Sequence, residues 1–303
     1  MHGEKRALAR AITMIENESD DYISLLDLLY PHQGKAHRIG ITGPPGAGKS
    51  TLTNKLTKLF RANKLTVGIV AVDPSSPFTG GAILGDRVRM QELFMDPGVF
   101  IRSMASRGNM GGLARQATEA ADVLDAAGKD VIIYETVGVG QVELDIMSAA
   151  DTTIVLTVPD AGDAIQGMKA GLMEIGDLFI VNKADLSGAD RMKSDLEFVL
   201  HLRQARDDWY PPVILTQARK GTGLEDMYTN IMKHKEYLSG KDRLKKIRNR
   251  RSVERVKHLV NDHINRQFWT DNRTKELKDY LNESGEQTSP YAIARKLIEN
   301  GAI

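Results

Sequence analysis

Residues 38–50 read RIGITGPPGAGKS, and residues 43–50 match the phosphate-loop pattern GxxxxGK(S/T) at every fixed position. A short run that favours β-structure, residues 39–42, precedes the loop, and apolar residues recur at helical spacing after it. Glycines let backbone N–H groups point at phosphate oxygens, and the N-terminus of the following helix adds partial positive charge. The segment therefore predicts a strand, a tight turn and a helix that together bind a nucleoside triphosphate.

Two side chains of this loop have defined roles in phosphoryl transfer to water. Lys49 is expected to reach the β- and γ-phosphates, and the hydroxyl of Ser50 is expected to ligate Mg²⁺. Together with the loop N–H groups, they would neutralise the charge that develops on the phosphate oxygens. The predicted phosphate-binding residues are Gly43, Pro45, Gly46, Ala47, Gly48, Lys49, Ser50 and Thr51, with Gly138 further along the chain.

The composition is that of an ordinary globular protein. The chain has 303 residues, 41% of them hydrophobic and 27% charged, enough for one large α/β domain with extensions or for two domains. The net charge of +1 gives no reason to expect a nucleic-acid or membrane partner. The basic run 241–251 has interleaved apolar residues at helical spacing, which favours a solvated helix face.

Several classes of protein are excluded or disfavoured. The sequence has no cysteine, which excludes disulfides, thiolate zinc sites and cysteine nucleophiles. Residues 1–18 have no apolar run resembling a signal peptide, and no stretch approaches the roughly 18 consecutive apolar residues of a membrane span. We therefore expect a cytoplasmic protein.

Near-continuous apolar runs alternate with helical stretches through the middle of the chain. This alternation predicts an α/β fold, the three-layer α/β/α arrangement of P-loop NTPases with a mostly parallel sheet. Ligands of such sheets gather at the carboxyl ends of the strands. The predicted strands are residues 39–42, 65–72, 99–102, 131–134, 153–158, 178–181 and 213–215.

Helices are predicted on both sides of this alternation. We expect an N-terminal helical extension over residues 1–37, a P-loop nucleotide-binding domain over 38–235 and a C-terminal helical extension over 236–303. The predicted apolar stripes of the first extension are Leu8, Ile12 and Ile15 in one helix and Ile23, Leu26, Leu29 and Tyr30 in the next.

The tetrapeptide Asn182-Lys183-Ala184-Asp185 follows a predicted strand about 140 residues beyond the phosphate loop. The Asp185 carboxylate can accept hydrogen bonds from guanine N1–H and the 2-amino group, whereas adenine would leave it unpaired. Since an unpaired buried polar group costs about 1–3 kcal/mol, the motif predicts GTP rather than ATP. The predicted guanine-binding residues are Asn182, Lys183 and Asp185 and, after the last strand, Gln217, Ala218 and Arg219.

Acidic residues at two further strand ends are candidate ligands of Mg²⁺. Glu135 follows the strand 131–134, and Gly138 comes three residues later, the pattern of a second switch whose acid faces the metal. Asp73 and Asp86 bracket a loop rich in proline and glycine, which indicates a mobile switch segment. The predicted catalytic residues are Lys49, Glu135 and Asp73, and the predicted Mg²⁺ ligands are Ser50, Asp73, Asp86 and Glu135.

The sequence does not decide the roles of two further residues. Arg107, in the glycine-rich loop 103–112, could stabilise transition-state charge or pair with an acid. Gln141 lies three residues beyond Gly138, whereas the familiar catalytic glutamine follows that glycine directly, so no residue is assigned to position water. An incomplete site of this kind is expected to hydrolyse GTP slowly until a partner orders it.

Five sequence motifs occur along the chain in the order GPPGAGKST, DPSSPFTGGAILGDRVRM, SRGNMGGLA, ETVGVGQ and NKAD. In this order they resemble the ArgK/MeaB-type GTPases, G3E-class metallochaperones related to the MMAA proteins, and the resemblance covers about residues 4–303. It implies a slow, usually homodimeric GTPase with GTP or GDP and Mg²⁺ as ligands. It also implies a B12-dependent acyl-CoA mutase as partner, either methylmalonyl-CoA mutase or a relative. The GTPase would gate the delivery of adenosylcobalamin to this mutase and would protect or reactivate it.

The resemblance also assigns roles to particular segments. The family's switch loops correspond to residues 73–89, 135–143 and 160–169, and residues 236–303 would be the dimerisation element. Val142 and Gln217 depart from the family, which often has serine at both positions, and neither removes a phosphate or metal ligand. The expected third-switch residues are Asp160, Asp163, Gln166 and Lys169.

Three alternative functions remain open from the sequence. A nucleotide-dependent kinase or ATPase linked to amino-acid transport would prefer ATP, which Asp185 opposes. A nickel-insertion GTPase would need a metal-binding cluster, but the chain has no cysteine and only seven histidines. A binding module without turnover is the third.

Overall fold

Seven parallel β-strands form one sheet in the order β3-β2-β4-β1-β5-β6-β7. The computed structural model describes residues 5–73, 90–105, 110–136, 141–159, 170–202, 208–284 and 289–299. Helices cover both faces of the sheet, which confirms the predicted three-layer α/β/α fold. The strands are β1 His37–Thr42, β2 Val67–Asp73, β3 Val99–Ala105, β4 Val131–Thr136, β5 Thr152–Thr157, β6 Leu178–Asn182 and β7 Val213–Thr216.

Twelve α-helices lie in the described ranges. Those up to residue 241 are α1 Lys5–Glu16, α2 Tyr22–Leu29, α3 Lys49–Ala62, α4 Gln91–Phe94, α5 Met110–Ala126, α6 Gln141–Ser148, α7 Ala170–Ile175, α8 Ala189–Leu202 and α9 Leu224–Ser239. The others are α10 Arg243–Phe268, α11 Asp271–Ser284 and α12 Pro290–Glu299, and short 3₁₀ turns cover Tyr30–His32 and Gly240–Asp242. None of these helices combines the length and apolar content that a membrane span requires.

The apolar strands are buried on both faces because alternate side chains point to opposite layers. On β4, Ile132 and Tyr134 pack with α1, α5 and α6, whereas Ile133 packs with α3 and α9. All six residues of β4 and of β5 are buried. This double burial explains why the strands appear in the sequence as continuous apolar runs rather than as alternating ones.

Two details differ from the sequence-based expectations. Strand β3 extends three residues beyond the predicted end at residue 102, because it pairs with β2 as far as Asp73 opposite Ala105. The apolar stripe predicted for α2 is also wrong in part, since Ile23 is 57% exposed and Tyr30 is 68% exposed. The prediction holds at Leu26, which packs against the core, and at Leu29, which is buried together with Tyr22.

The chain divides into two compact units, Met1–Lys241 and Asp242–Ile303. The first contains the sheet, and α1 and α2 pack on α5 within it. In the second, α11 contacts α12, which buries Ile293 and Leu297. Helix α10 has no buried residue along its 26 residues. Its large exposed apolar side chains are Val253, Val256, Leu259, Val260 and Ile264.

A buried histidine pair lies where β1 and β5 begin, at the amino ends of the strands, whereas the phosphate loop lies at their carboxyl ends. The Thr152 hydroxyl lies 2.9 Å from His37 Nε2 and 2.8 Å from His234 Nδ1. The Trp209 ring covers His234, with ring centroids 4.6 Å apart. Burial and the neighbouring His37 lower the pKa of His234 to about 3, while Asp151 acts in the opposite direction.

We predict that this pair makes the free energy of unfolding fall in mild acid. The unfolded chain protonates His234 near its ordinary pKa of 6.5, whereas the folded chain resists protonation down to about pH 3. Stability is therefore lost as the pH falls from about 6.5 toward 3, by at most about 1.4 kcal/mol per pH unit for one proton. Urea unfolding of His234→Gln at pH 7.5 and 5 should show a smaller pH dependence than the wild type.

The matched control is His201→Gln, which changes an exposed histidine on α8. It should keep the wild-type dependence on pH. An unchanged pH dependence in His234→Gln would contradict the assignment.

Candidate GTP-binding and hydrolysis site

The carboxyl ends of four strands meet at one edge of the sheet and bring the predicted motifs together. β1 is central, with β4 on one side and β5 on the other, so its carboxyl end lies where the strand order reverses. This is where parallel sheets form ligand crevices. The register places Ile41 opposite Glu135, and Asn182 opposite Thr216.

The phosphate loop needs glycine at two close approaches. Gly43 has a φ of 143°, and a Cβ there would lie 2.3 Å from the carbonyl oxygen of Leu156. Gly48 has a φ of 97°, and a Cβ there would lie 2.5 Å from Nδ2 of Asn182. Gly48 also precedes α3 without a side-chain cap. Because glycine has no side chain that could cap the first N–H groups of α3, this position suits an anion site at a helix N-terminus.

Lys49 is buried against the inner wall of this loop. Its Nζ donates hydrogen bonds to the carbonyl oxygens of Gly43, at 2.7 Å, and Pro44, at 2.9 Å. Backbone carbonyls thus hold the ammonium group beside the turn. Phosphate oxygens entering the loop would meet a cation that is already in position.

Two predicted Mg²⁺ ligands lie in direct contact. The Ser50 hydroxyl donates a hydrogen bond to Oε1 of Glu135, and Glu135 is buried. A hydroxyl and a carboxylate are oxygen donors of the kind that Mg²⁺ prefers, so this pair fits the metal. In the described part of the chain, no group of three acidic or histidine side chains forms a metal site.

Several predicted site residues lie outside the described part of the chain. The backbone of Asp73 ends β2, but its side chain is not among the described ones. The others are Asp86, Arg107, Gly138, Asp160, Asp163, Gln166 and Lys169. Their roles stay predictions.

Asn182 joins the phosphate loop to the predicted base loops. It is buried at the end of β6, and its Nδ2 donates to the carbonyl oxygen of Ala47 at 2.7 Å. Its Oδ1 accepts hydrogen bonds from the Thr216 hydroxyl at 3.0 Å and from the Ala218 N–H at 3.1 Å. The two ends of this side-chain amide therefore fix three loops relative to one another: the phosphate loop, the loop after β6 and the loop after β7.

The residues after Asn182 turn sharply toward solvent. Lys183 has a left-handed φ of 56°, and the N–H of Ala184 donates to the carbonyl oxygen of Thr216 at 3.0 Å. Asp185 follows and is exposed, with its carboxylate at the surface. In the second loop Ala218 is buried, whereas Gln217 is partly exposed and Arg219 is exposed. The guanine contacts of these residues stay predictions.

Sequence reasoning did not assign a role to the Thr216 side chain. Thr216 is fully buried at the end of β7, and its hydroxyl fixes the orientation of the Asn182 amide. A threonine at the end of an apolar strand is common and does not by itself indicate a role. Only the position of Thr216 opposite Asn182 in the adjacent strand shows that its hydroxyl orients this amide.

A phosphate loop and a base-binding motif at the carboxyl edge of one parallel sheet define a P-loop GTPase. A model of the family "Methylmalonyl Co-A mutase-associated GTPase MeaB" matches residues 8–273. The chain therefore belongs to the MeaB family of GTPases, as its motifs predicted, and it is a GTPase.

The chain is also similar to curated relatives and to a solved structure over most of its length. A Pyrococcus abyssi protein named as a GTPase is 46% identical over 98% of this chain and 93% of its own length. The mouse "Methylmalonic aciduria type A homolog, mitochondrial" is 35% identical over 78% of this chain and 62% of its own length. The crystal structure titled "LAO/AO transport system kinase" is 31% identical, with a TM-score of 0.77 over 99% of this chain and 94% of that one.

We predict that Thr216→Val weakens GTP and GDP binding to the same extent. Valine keeps the shape but removes one of the two donors to Asn182 Oδ1, which loosens the amide that holds the phosphate loop. A loss of about 1 kcal/mol corresponds to about fivefold in affinity. Titration of a fluorescent guanine nucleotide measures it.

Thr216→Ser, which keeps the hydroxyl, is the control and should retain most of the wild-type affinity. Wild-type affinity in Thr216→Val would show that Asn182 is positioned without this hydrogen bond.

Proposed function

We propose that this GTPase is a metallochaperone for a B12-dependent acyl-CoA mutase, methylmalonyl-CoA mutase or a relative. In this role it gates delivery of adenosylcobalamin and protects or reactivates the mutase. The observation that carries the proposal is the match to the mutase-associated GTPase family over residues 8–273, which includes the whole described nucleotide site. The name of the mouse relative supports it.

The described residues support hydrolysis by positioning and charge rather than by covalent chemistry. Lys49 and the N–H groups at the start of α3 would bind the β- and γ-phosphates. Ser50 and Glu135 would hold Mg²⁺, with Asp73 and Asp86 as further ligands. When bound, the metal supplies positive charge to the phosphate oxygens. Glu135 would then exchange its hydrogen bond with Ser50 for metal ligation.

The exposed carboxylate of Asp185 supports recognition of guanine. Asn182 keeps the base loops at a fixed distance from the phosphate loop, so Asp185 would meet the N1–H and 2-amino edge of a base whose phosphates lie at Lys49. Lys183 would cover the base with its alkyl chain. Gln217, Ala218 and Arg219 would line the other side.

The proposal makes nucleotide state the signal that the mutase reads. Segments 73–89, 135–143 and 160–169 would differ between the GTP and GDP forms, because γ-phosphate and metal contacts order such loops and hydrolysis releases them. Glu135 is a described residue that would transmit the change, since it is the first residue of the second segment, lies in β4 and contacts Ser50.

We also propose that the C-terminal unit forms a homodimer. Helix α10 is long and has no buried residue, although it exposes five large apolar side chains. A second copy of the same helix could cover these side chains, as a two-fold interface requires the same patch on both subunits.

The test is binding to the adenosylcobalamin-dependent acyl-CoA mutase of the same organism, measured by biolayer interferometry with a non-hydrolysable GTP analogue and with GDP. We predict affinities that differ at least about tenfold between the two nucleotides, or about 1.4 kcal/mol. Lys49→Ala should remove the difference because it removes nucleotide binding.

Absence of mutase binding with either nucleotide would overturn the chaperone function and leave the GTPase intact. Equal binding with both nucleotides would overturn the signalling role.

A further inference from the structure

Residues 94–98, the last residue of α4 and the turn that leads into β3, present two large apolar side chains to solvent. Phe94 is 37% exposed and Met95 is 86% exposed. Met90 and Leu93, just before them, are buried in the core beneath α3. Met90 and Leu93 therefore hold the segment in the core, while the Met95 side chain is exposed to solvent.

Side chains from two distant parts of the sequence hold this turn. Lys5 Nζ donates to the carbonyl oxygens of Phe94, at 3.0 Å, and Asp96, at 2.8 Å. Arg61 Nε lies 3.0 Å from both carboxylate oxygens of Asp96. Asp96 in turn accepts a hydrogen bond from the N–H of Gly98 at 2.7 Å.

The fit of the turn against Arg61 is close. A Cβ at Gly98 would lie 2.1 Å from Cζ of Arg61, so the guanidinium lies directly against the glycine backbone. So many side-chain contacts to a short surface turn fix its conformation before any partner binds. A preformed turn loses less entropy on binding than a flexible one.

The rim of the turn is positively charged. Its carboxylates already have partners, since Asp96 binds Arg61 and Glu92 binds Lys58. Asp130 accepts hydrogen bonds from the N–H and hydroxyl of Thr66.

Two lysines on this rim form no ion pair with a carboxylate of the described residues. Within the described residues, Lys5 and Lys129 bond only to backbone carbonyls, Lys129 Nζ lying 3.4 Å from that of Gly98. Burial lowers the pKa of Lys129, and the charges of Lys5 and Arg61 lower it further, while the smaller effects of Asp130 and Asp96 raise it. Lys5 and Arg61 thus outweigh the two carboxylates at Lys129, and a partner's carboxylates would relieve the remaining repulsion.

We propose that the turn 94–98 is a docking element for a partner protein that offers an apolar pocket edged by carboxylates. Met95 would fill the pocket, because an unbranched thioether side chain adapts to irregular apolar surfaces. Lys5 and Lys129 would face the carboxylates. If the proposed function holds, this partner is the mutase, and the inference rests on that function for the partner's identity.

The location supports this choice. In sequence the turn follows the first expected switch, residues 73–89. It lies where β3 begins, at the opposite end of the strands from the phosphate loop, so a partner held here would leave that loop uncovered.

The experiment compares Met95→Glu with the wild type in mutase binding with the GTP analogue bound. Leu28→Glu is the matched control, because Leu28 is 73% exposed on α2 and is not part of the turn. Met95→Glu should lower mutase affinity at least about tenfold by placing a carboxylate in the apolar pocket, whereas Leu28→Glu should not change it. Basal GTP hydrolysis should be unchanged in both variants.

Wild-type mutase affinity in Met95→Glu would overturn the docking element and leave the chaperone function in place. If the wild type binds no mutase with either nucleotide, both proposals fail. Binding to vesicles containing phosphatidylserine that depends on Met95, with mutase binding unaffected, would assign the turn to a membrane and also overturn the inference.

Discussion

The hydrogen bonds of the Asn182 amide are the interaction on which the nucleotide site depends. One end of the amide binds the phosphate loop at Ala47, and the other accepts from Thr216 and Ala218. Loops from three strands meet here, and the described bond that joins two of them without this amide runs from the Ala184 N–H to the Thr216 carbonyl oxygen. The amide converts them into one binding surface, with the distance between phosphate and base positions set by buried contacts.

The site also satisfies its own charges. The Lys49 ammonium binds loop carbonyls, and Ser50 donates to Glu135. A buried charge without compensation would cost several kcal/mol, so these internal bonds stabilise the phosphate loop. Nucleotide and metal would exchange partners with groups that are already oriented. This pre-organisation is what electrostatic catalysis of phosphoryl transfer requires.

Much of the fold could be predicted from the sequence, because continuous apolar strands and a phosphate loop are local patterns. The stripe predicted for α2 was wrong at Ile23 and Tyr30, because the sequence allows two apolar stripes and only packing against α5 selects one. The partners of Asn182 could not be predicted, since they depend on which strands are neighbours. The pairing of His37 with His234 likewise joins residues far apart in sequence.

In the proposed function, Glu135 would couple the phosphate loop to Mg²⁺ and thus to the switch segments. The most direct measurement is GTP affinity with and without Mg²⁺ for the wild type and Glu135→Gln. We predict that Mg²⁺ tightens GTP binding at least about tenfold in the wild type and less than about threefold in Glu135→Gln, with equal metal-free affinities. An equal effect of Mg²⁺ in both proteins would contradict the account.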